Sequence, residues 1–308
     1  MTIDQLGALL QSTVTMAVPL LFAALGELVA ERAGIINIGL EGMILTGAFT
    51  ALLVTFHSGS AAAGLAGAWA AGLLMALAFV YPVVVHGANQ VVVGTAMNLL
   101  ALGVTGVAYR AIFGVTGAAL TVSGFGAVPL PLLSGLPLIG TAFFEQSILG
   151  YLAFGLVPLV WYGMSRTVPG LKLRMVGEHP RAAAAQGVGV RATQVGAVVA
   201  CALLAATAGT YLAVAYANTF VEGMSAGRGF IALAIVIFGR WSPWGALGAA
   251  LLFGFATALQ FHVQALGWRI PYQFLLMLPY VLTLVVLMGY AGTTRPPASL
   301  GLPVRREP

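Results

Sequence analysis

SRTVPGLKLRMVGEHPRAAAAQGVGVRA, residues 165–192, is a polar interval between two apolar segments of membrane-spanning length. It holds Arg166, Lys172, Arg174, Arg181 and Arg191, five of the thirteen basic residues of the chain. Inside it, GEHPRAAAAQGV reads as a short helix with defined ends. Pro180 suits a first helical position, Ala182 to Ala185 is a strong helix-forming run, and Gly187 ends it. Lys and Arg concentrate in the cytoplasmic loops of membrane proteins, so this interval is expected on that side. An ordered helix is more than a tether requires. It reads as a handle for a second protein to push.

The rest of the chain is 60% hydrophobic and 7% charged. A soluble domain carries about 25% charged residues. Mean hydropathy is +1.00, so the bilayer is the expected solvent. The net charge of +5 comes from loops between apolar segments, which points to lipid headgroups and not to nucleic acid. The single cysteine, Cys201, excludes an intramolecular disulfide. Forty glycines suit helices that pack closely in a membrane.

Apolar segments run at about 7–25, 35–56, 61–86, 90–112, 146–164, 193–217, 222–241, 244–266 and 272–290. The expected fold is all-α: a polytopic transmembrane helical bundle of about nine spans, with eight to ten allowed. The seventh is the reason for that range. Its apolar part, Phe230 to Phe238, is too short to cross unless the polar residues before it enter the membrane, and it reads as broken or re-entrant. Residues 1–290 form the transmembrane domain, with its loop at 165–192. The Pro-rich, basic stretch 291–308 is expected to be a disordered cytoplasmic tail.

Nine spans place the N-terminus outside and the C-terminus inside. Arg32, Arg166, Lys172, Arg174, Arg181, Arg191, Arg240, Arg295, Arg305 and Arg306 then lie inside, and Arg110, Arg228 and Arg269 outside. Ten against three obeys the positive-inside rule. Trp241, Trp244, Trp268 and Tyr290 are expected as interfacial anchors, and Arg110 as a side chain snorkelling to the outer surface. In the Gly- and Pro-rich loop 113–145, Val128 to Leu133 and Leu136 to Ile139 read as short interfacial helices.

Three segments carry polar groups into apolar surroundings. GELVAERAGIINIGLEG, residues 26–42, holds Glu27, Glu31, Arg32 and Glu41. A charge at the bilayer centre costs about 2.5–3.5 kcal/mol, so Glu27, Glu31 and Arg32 are expected at the cytoplasmic interface, with Arg32 paired to one of the two carboxylates. Glu41 lies inside the second segment, one helical turn from Asn37 on the same face, with Gly34, Gly39, Gly42 and Gly47 around it. It either bonds to a neighbouring helix or lines a path. Thr95 and Asn98, inside the fourth segment, are either interhelical glue or substrate contacts. EGMSAGRGFIALAIVIFGRWSPWG begins a second Gly-rich break at residue 222. Two interrupted segments in corresponding positions point to a binding site near the midplane. Gly227 and Gly229 belong to that break. The single lysine, Lys172, has no P-loop around it, and the four histidines show no metal spacing.

GELVAERAGIINIGLEGMILTGAF, GANQVVVGTAMNLLALG, GEHPRAAAAQGV and GRGFIALAIVIFGRWSPWGALGAALLFG occur in that order. Together they resemble the permease subunits of bacterial ABC importers, in the branch related to simple-sugar and branched-chain amino-acid permeases. The resemblance is strongest to members that work with nucleoside-binding lipoproteins, and it covers about residues 7–290. It implies an ABC importer permease fold in the bacterial inner membrane. It implies four partners: cytoplasmic ABC ATPase subunits that bind the ATP, a paralogous permease in a heterodimer, an extracytoplasmic substrate-binding lipoprotein, and the small-molecule substrate. No cofactor is expected on this chain and no catalytic residue.

Gly177, Glu178, Pro180, Arg181, Ala182, Ala183 and Gly187 match the family's coupling helix. Ala184 stands where the family often has an acidic residue. The expected path residues are Asn37, Gly39, Glu41, Thr95, Asn98, Gly227 and Gly229. The expected function is ATP-driven import of nucleosides or related small polar molecules such as simple sugars. The alternative is a secondary transporter that uses Glu41 as its proton or cation site.

Overall fold

The computed structural model describes residues 3–114, 121–131, 134, 140–265 and 295–302, with isolated positions between 273 and 288. Helix α1 (Ile3–Arg32) runs unbroken through GELVAER, and residues 33–39 then leave the helical path. Helix α2 (Leu40–Ser58) ends at Gly59 in the left-handed region. Ser60 caps α3 (Ala61–Val80) by accepting from the Ala63 N–H, and a π turn (Tyr81–Val85) extends it. Asn89 caps α4 (Gln90–Phe113) by accepting from the Val91 and Val92 N–H groups. The next segment holds β1 (Ala127–Pro129), α5 (Gly140–Phe144) and β2 (Glu145–Ser147). Ser147 caps α6 (Ile148–Arg166), and Thr167 caps α7 (Val168–Glu178). Helix α8 (Pro180–Ala185) follows, then α9 (Val190–Thr210) with its own π turn (Tyr211–Tyr216), α10 (Arg228–Phe238) and α11 (Pro243–Ala265).

The chain is an all-α membrane bundle. Among the described residues, seven helices are long and apolar enough to cross: α1, α2, α3, α4, α6, α9 and α11. The expected ninth span at 272–290, with Trp268, Arg269 and Tyr290, lies outside the described residues. The expected seventh span is only 11 residues of helix. At 1.5 Å per residue α10 covers about 16 Å, roughly half of the hydrocarbon core. The polar residues ahead of it form turns, so they do not lengthen it.

Three expectations fail locally. Val128 lies in an extended strand, with Ala127 opposite Ser147 and Pro129 opposite Glu145, and not in an interfacial helix. Pro129 and Pro131 cannot donate helical hydrogen bonds, which explains the extended choice. Leu136 to Ile139 lie outside the described residues. The 165–192 interval holds two helices, because α7 precedes the expected α8. The tail is also ordered in part: residues 295–302 pack on the bundle through backbone hydrogen bonds to Gly34 and Gly177.

Small residues set the centre of the bundle. Helix α1 is buried along most of its length, with Leu21, Phe22, Leu25 and Leu28 fully enclosed. Helix α9 packs against α1, α2 and α3 at once. A Cβ on Gly26 would stand 2.9 Å from the Cys201 carbonyl, one on Gly72 3.0 Å from the Ala202 carbonyl, and one on Gly47 2.6 Å from the Ala206 Cα. Lipid tails are as apolar as the helices, so close van der Waals contact holds such a bundle together. Gly47→Val should therefore lower the thermal stability of the purified protein by about 1–3 kcal/mol, since the obstacle is backbone. Gly103 faces open space, and Gly103→Ala should leave the melting temperature unchanged or raised.

Candidate translocation site and coupling loop

The two interrupted segments meet. Glu41, one residue into α2, accepts from the Gly227 N–H (2.8 Å) and the Gly229 N–H (2.7 Å) at the start of α10. The first turn of a helix has N–H groups with no partner of their own and carries positive partial charge, so a carboxylate fits there. Gly227 is left-handed, with φ of +81°. Gly229 approaches so closely that a Cβ would stand 2.5 Å from the Glu41 nitrogen. Both glycines are required by this contact and not only by loop shape. Arg228 donates to the Met224 and Ser225 carbonyls and lies within electrostatic reach of Glu41.

Asn98 fastens the other side of the break. Its side-chain oxygen accepts from the Gly42 N–H and its amide donates to the Ile38 carbonyl, both at 2.8 Å. A Cβ on Gly94 would stand 2.6 Å from the Gly39 nitrogen, so α4 and the 33–39 segment touch backbone to backbone. Asn98 lies eight residues along α4 from Gln90, a depth of about 12 Å. Glu41 and the N-terminus of α10 therefore sit inside the bundle. Arg228 is inside it too, and not at the outer surface as the charge count assigned it.

The structure separates other expected partners. Asn37 precedes α2, so it shares no helical face with Glu41. It is fully buried; its N–H donates to Glu27 at 2.8 Å and its side-chain amide faces the sulfurs of Met43 and Cys201. Its side-chain oxygen has no partner and faces Gly39. Thr95 is exposed and bonds back to the Val91 carbonyl of its own helix. Among the expected path residues, Glu41, Gly227, Gly229, Asn98 and Gly39 converge; Asn37 touches Gly39 but turns its amide to Met43 and Cys201, and Thr95 is exposed.

The interfacial ion pair is also corrected. Among the described residues Arg32 pairs with neither Glu27 nor Glu31. Glu27 is fully buried and accepts from Asn37 and the Cys201 thiol. Glu31 accepts from the Trp241 indole N–H, and Arg32 donates twice to the Trp241 carbonyl, at 3.0 and 2.7 Å. Trp241 is thus a buried partner of α1 and not a lipid anchor. It and Arg240 hold φ near +52°, a costly region for side chains of this size, which these three bonds offset. Sequence reading could not pair residues 210 positions apart.

Arg110 is not a lone snorkelling side chain. It makes a bidentate bond to Glu222 at 2.7 and 2.6 Å. It is 20 residues from Gln90 along α4, so the pair sits about 30 Å from the basic loops. The hydrogen bond from Arg110 holds the Glu222 carboxyl below the usual carboxylate range.

The coupling segment stands out from the bundle. Gly177, at the end of α7, is pressed against the Arg32 carbonyl. Glu178 follows it. Pro180 opens α8, and Gly187 leaves it at φ +77°. Ala183 is buried, while Arg181, Ala182, Ala184 and Ala185 are exposed.

Among the described residues, seven helices long and apolar enough to cross, with two interrupted segments that meet inside the bundle, fit a membrane permease subunit. The chain belongs to the family described as branched-chain amino acid transport system / permease component, which matches residues 9–288. It is 37% identical to the guanosine ABC transporter permease protein NupQ of Bacillus subtilis strain 168, covering 97% of this chain and 96% of the relative. It is 36% identical to the nucleoside ABC transporter permease protein NupC of Lactococcus lactis, covering 97% of each. It is 38% identical to the putative glucose ABC transporter permease protein TsgC13 of Haloferax volcanii, covering 84% of this chain and 78% of that one. No solved structure matches the chain.

Two outcomes follow. Glu41→Ala removes two charge-assisted bonds and should destabilise the protein by about 1.5–3 kcal/mol per bond lost, with faster amide exchange at 227–231. The Arg110–Glu222 contact should persist at neutral pH. Because the folded Glu222 value is lowered, the contact is lost only as pH falls through it, and Glu222→Gln should reproduce at pH 7 the acid-induced rise in exchange at 219–226.

Proposed function

We propose that this subunit forms, with a paralogous permease, the membrane path of an ATP-driven importer for nucleosides. The observation that carries the reading is the near-full-length similarity to two permeases named for guanosine and nucleoside transport. The geometry fits a neutral ligand. Glu27, Glu31 and Glu41 each accept hydrogen bonds from protein donors, so all three are engaged in holding the fold. That disfavours the secondary-transporter alternative built on Glu41.

In this reading a substrate-binding lipoprotein delivers the nucleoside at the Arg110–Glu222 end. The α7–α8 end is cytoplasmic and engages an ABC ATPase on a separate chain, which binds the ATP. Arg181 and the exposed alanines of α8 are the docking face, and Gly177 passes the movement to the end of α1. The ligand runs past Gly39, Glu41, Asn98, Gly227 and Gly229, the polar region formed where the two helix breaks meet. The N-terminus lies outside and the tail inside, and the chain carries no cofactor of its own.

The test is uptake of tritiated guanosine into proteoliposomes holding the permease pair, the ATPase and the binding protein. Uptake should require internal ATP and survive collapse of the proton and sodium gradients. Uptake that follows a gradient without ATP would sink the reading. Arg181→Glu should cut guanosine uptake at least about fivefold while leaving membrane insertion intact, the lower range of coupling between sites.

A further inference from the structure

The ordered part of the C-terminal segment makes an unexpected set of contacts. Ser299 donates through its N–H (2.9 Å) and its hydroxyl (2.6 Å) to the Gly177 carbonyl, and the hydroxyl also reaches the Val176 carbonyl at 3.2 Å. These two carbonyls belong to the last turn of α7, where a helix has no acceptors' partners of its own. The Ala298 N–H donates to the Glu178 carboxylate at 3.3 Å. Two residues further on, the Gly301 N–H donates to the Gly34 carbonyl at 3.2 Å. The Leu302 carbonyl accepts from the Gln90 side chain, whose oxygen in turn accepts from the Ile36 N–H at 2.7 Å. Pro297 is buried, and Leu300 packs against the main core.

One short strap therefore touches three things: the end of the helix that leads into α8, the broken segment 33–39, and the first residue of α4. The 33–39 segment continues into Gly39, Gly42 and Glu41, so the strap joins the lever to the polar break by hydrogen bonds at both ends. We propose that Pro297–Leu302 is a transmission tie: it makes α7 and the 33–39 break move as one body, so that displacement of α8 by the ATPase opens or closes the interior contact around Glu41 and Asn98. The tie rests on the coupling role given to α8 above. Ser299, Gly301 and Gln90 are its positioning residues, and none of them touches substrate.

The test uses the assembled complex with its ATPase and binding protein. Hydrogen exchange at 33–39 and at 176–180 is followed before and after addition of ATP and vanadate, a readout that does not depend on which ligand is carried. In the native complex both segments should change together. Ser299→Pro removes the N–H and the hydroxyl; it should leave the response at 176–180 in place and reduce it at 33–39, where only the direct Gly177–Arg32 contact remains. In the same preparations, guanosine uptake per ATP hydrolysed should fall at least about fivefold. Ser299→Thr keeps the hydroxyl and the N–H and should restore both responses. Ser299→Ala, which deletes only the hydroxyl, should fall between them and serves if the proline variant does not accumulate.

An unchanged joint response in Ser299→Pro and Ser299→Ala would overturn the tie. Dissociation of the ATPase from either variant would overturn it as well, by making the strap part of the docking surface. Absence of guanosine uptake in the native complex would count against the proposed substrate alone, since the exchange readout remains decisive for the tie.

Discussion

The structure depends on how a polypeptide can leave its helical path inside a bilayer. Hydrocarbon offers no partner to a freed N–H or carbonyl, and each one left unmatched costs several kcal/mol. This chain breaks twice, at 33–39 and ahead of α10, and side chains match both breaks. Glu41 takes the first amides of α10. Asn98 spans Ile38 and Gly42, Glu27 takes Asn37, and Gln90 takes Ile36. The acidic residues that composition marks as expensive are the ones that make irregular backbone tolerable at depth. Their cost is offset where the broken backbone would otherwise be exposed to lipid.

Much of this was legible in the sequence, for physical reasons. Span lengths follow from the thickness of the bilayer, so α1, α2, α3, α4, α6, α9 and α11 match apolar runs closely. The brief apolar stretch Phe230 to Phe238 marked the weakest segment, and the helix there is 11 residues long. Pro180, the alanine run and Gly187 marked α8 because they act through local backbone preference. What sequence could not supply was pairing across the fold. Asn37 and Glu41 were placed on one helical face because helical spacing was extended back through a segment that is not helical. Arg32 was matched to Glu27 or Glu31 because both lie close to it in sequence. The partner of Glu31 and Arg32, the Trp241 turn, is remote in sequence and becomes visible only through its left-handed backbone. Glu41 was identified as important, and its role as a helix cap required knowing where α10 begins.

Depth explains the division of labour between the two kinds of polar pair. Arg110 and Glu222 meet where both side chains keep substantial contact with solvent, 60% and 35% exposed. Such a pair is weak and can exchange partners. The Glu41 contacts are carboxylate-to-amide bonds in a drier setting, where each is stronger and unmaking one strands two groups. The permease therefore has a loose junction at one end and a firm one inside. The Arg110–Glu222 pair is therefore the more easily parted of the two, and the Glu41 cap the more costly to break.

Helix α10 starts at the Glu41 cap and ends at the Trp241 turn, which Glu31 and Arg32 of α1 hold in a strained backbone conformation. Gly177 presses on the carbonyl of the same Arg32. Gly177, Arg32 and the Trp241 turn therefore form one contiguous contact, and Glu41 lies about 16 Å from it along α10. A full-length span would have both of its ends fixed at opposite surfaces. A half-length helix, capped by a carboxylate at one end and clamped to α1 at the other, ends inside the bundle without exposing backbone to lipid. The short seventh segment is thus held at both ends by side chains of α2 and α1, and needs no second membrane surface to end at.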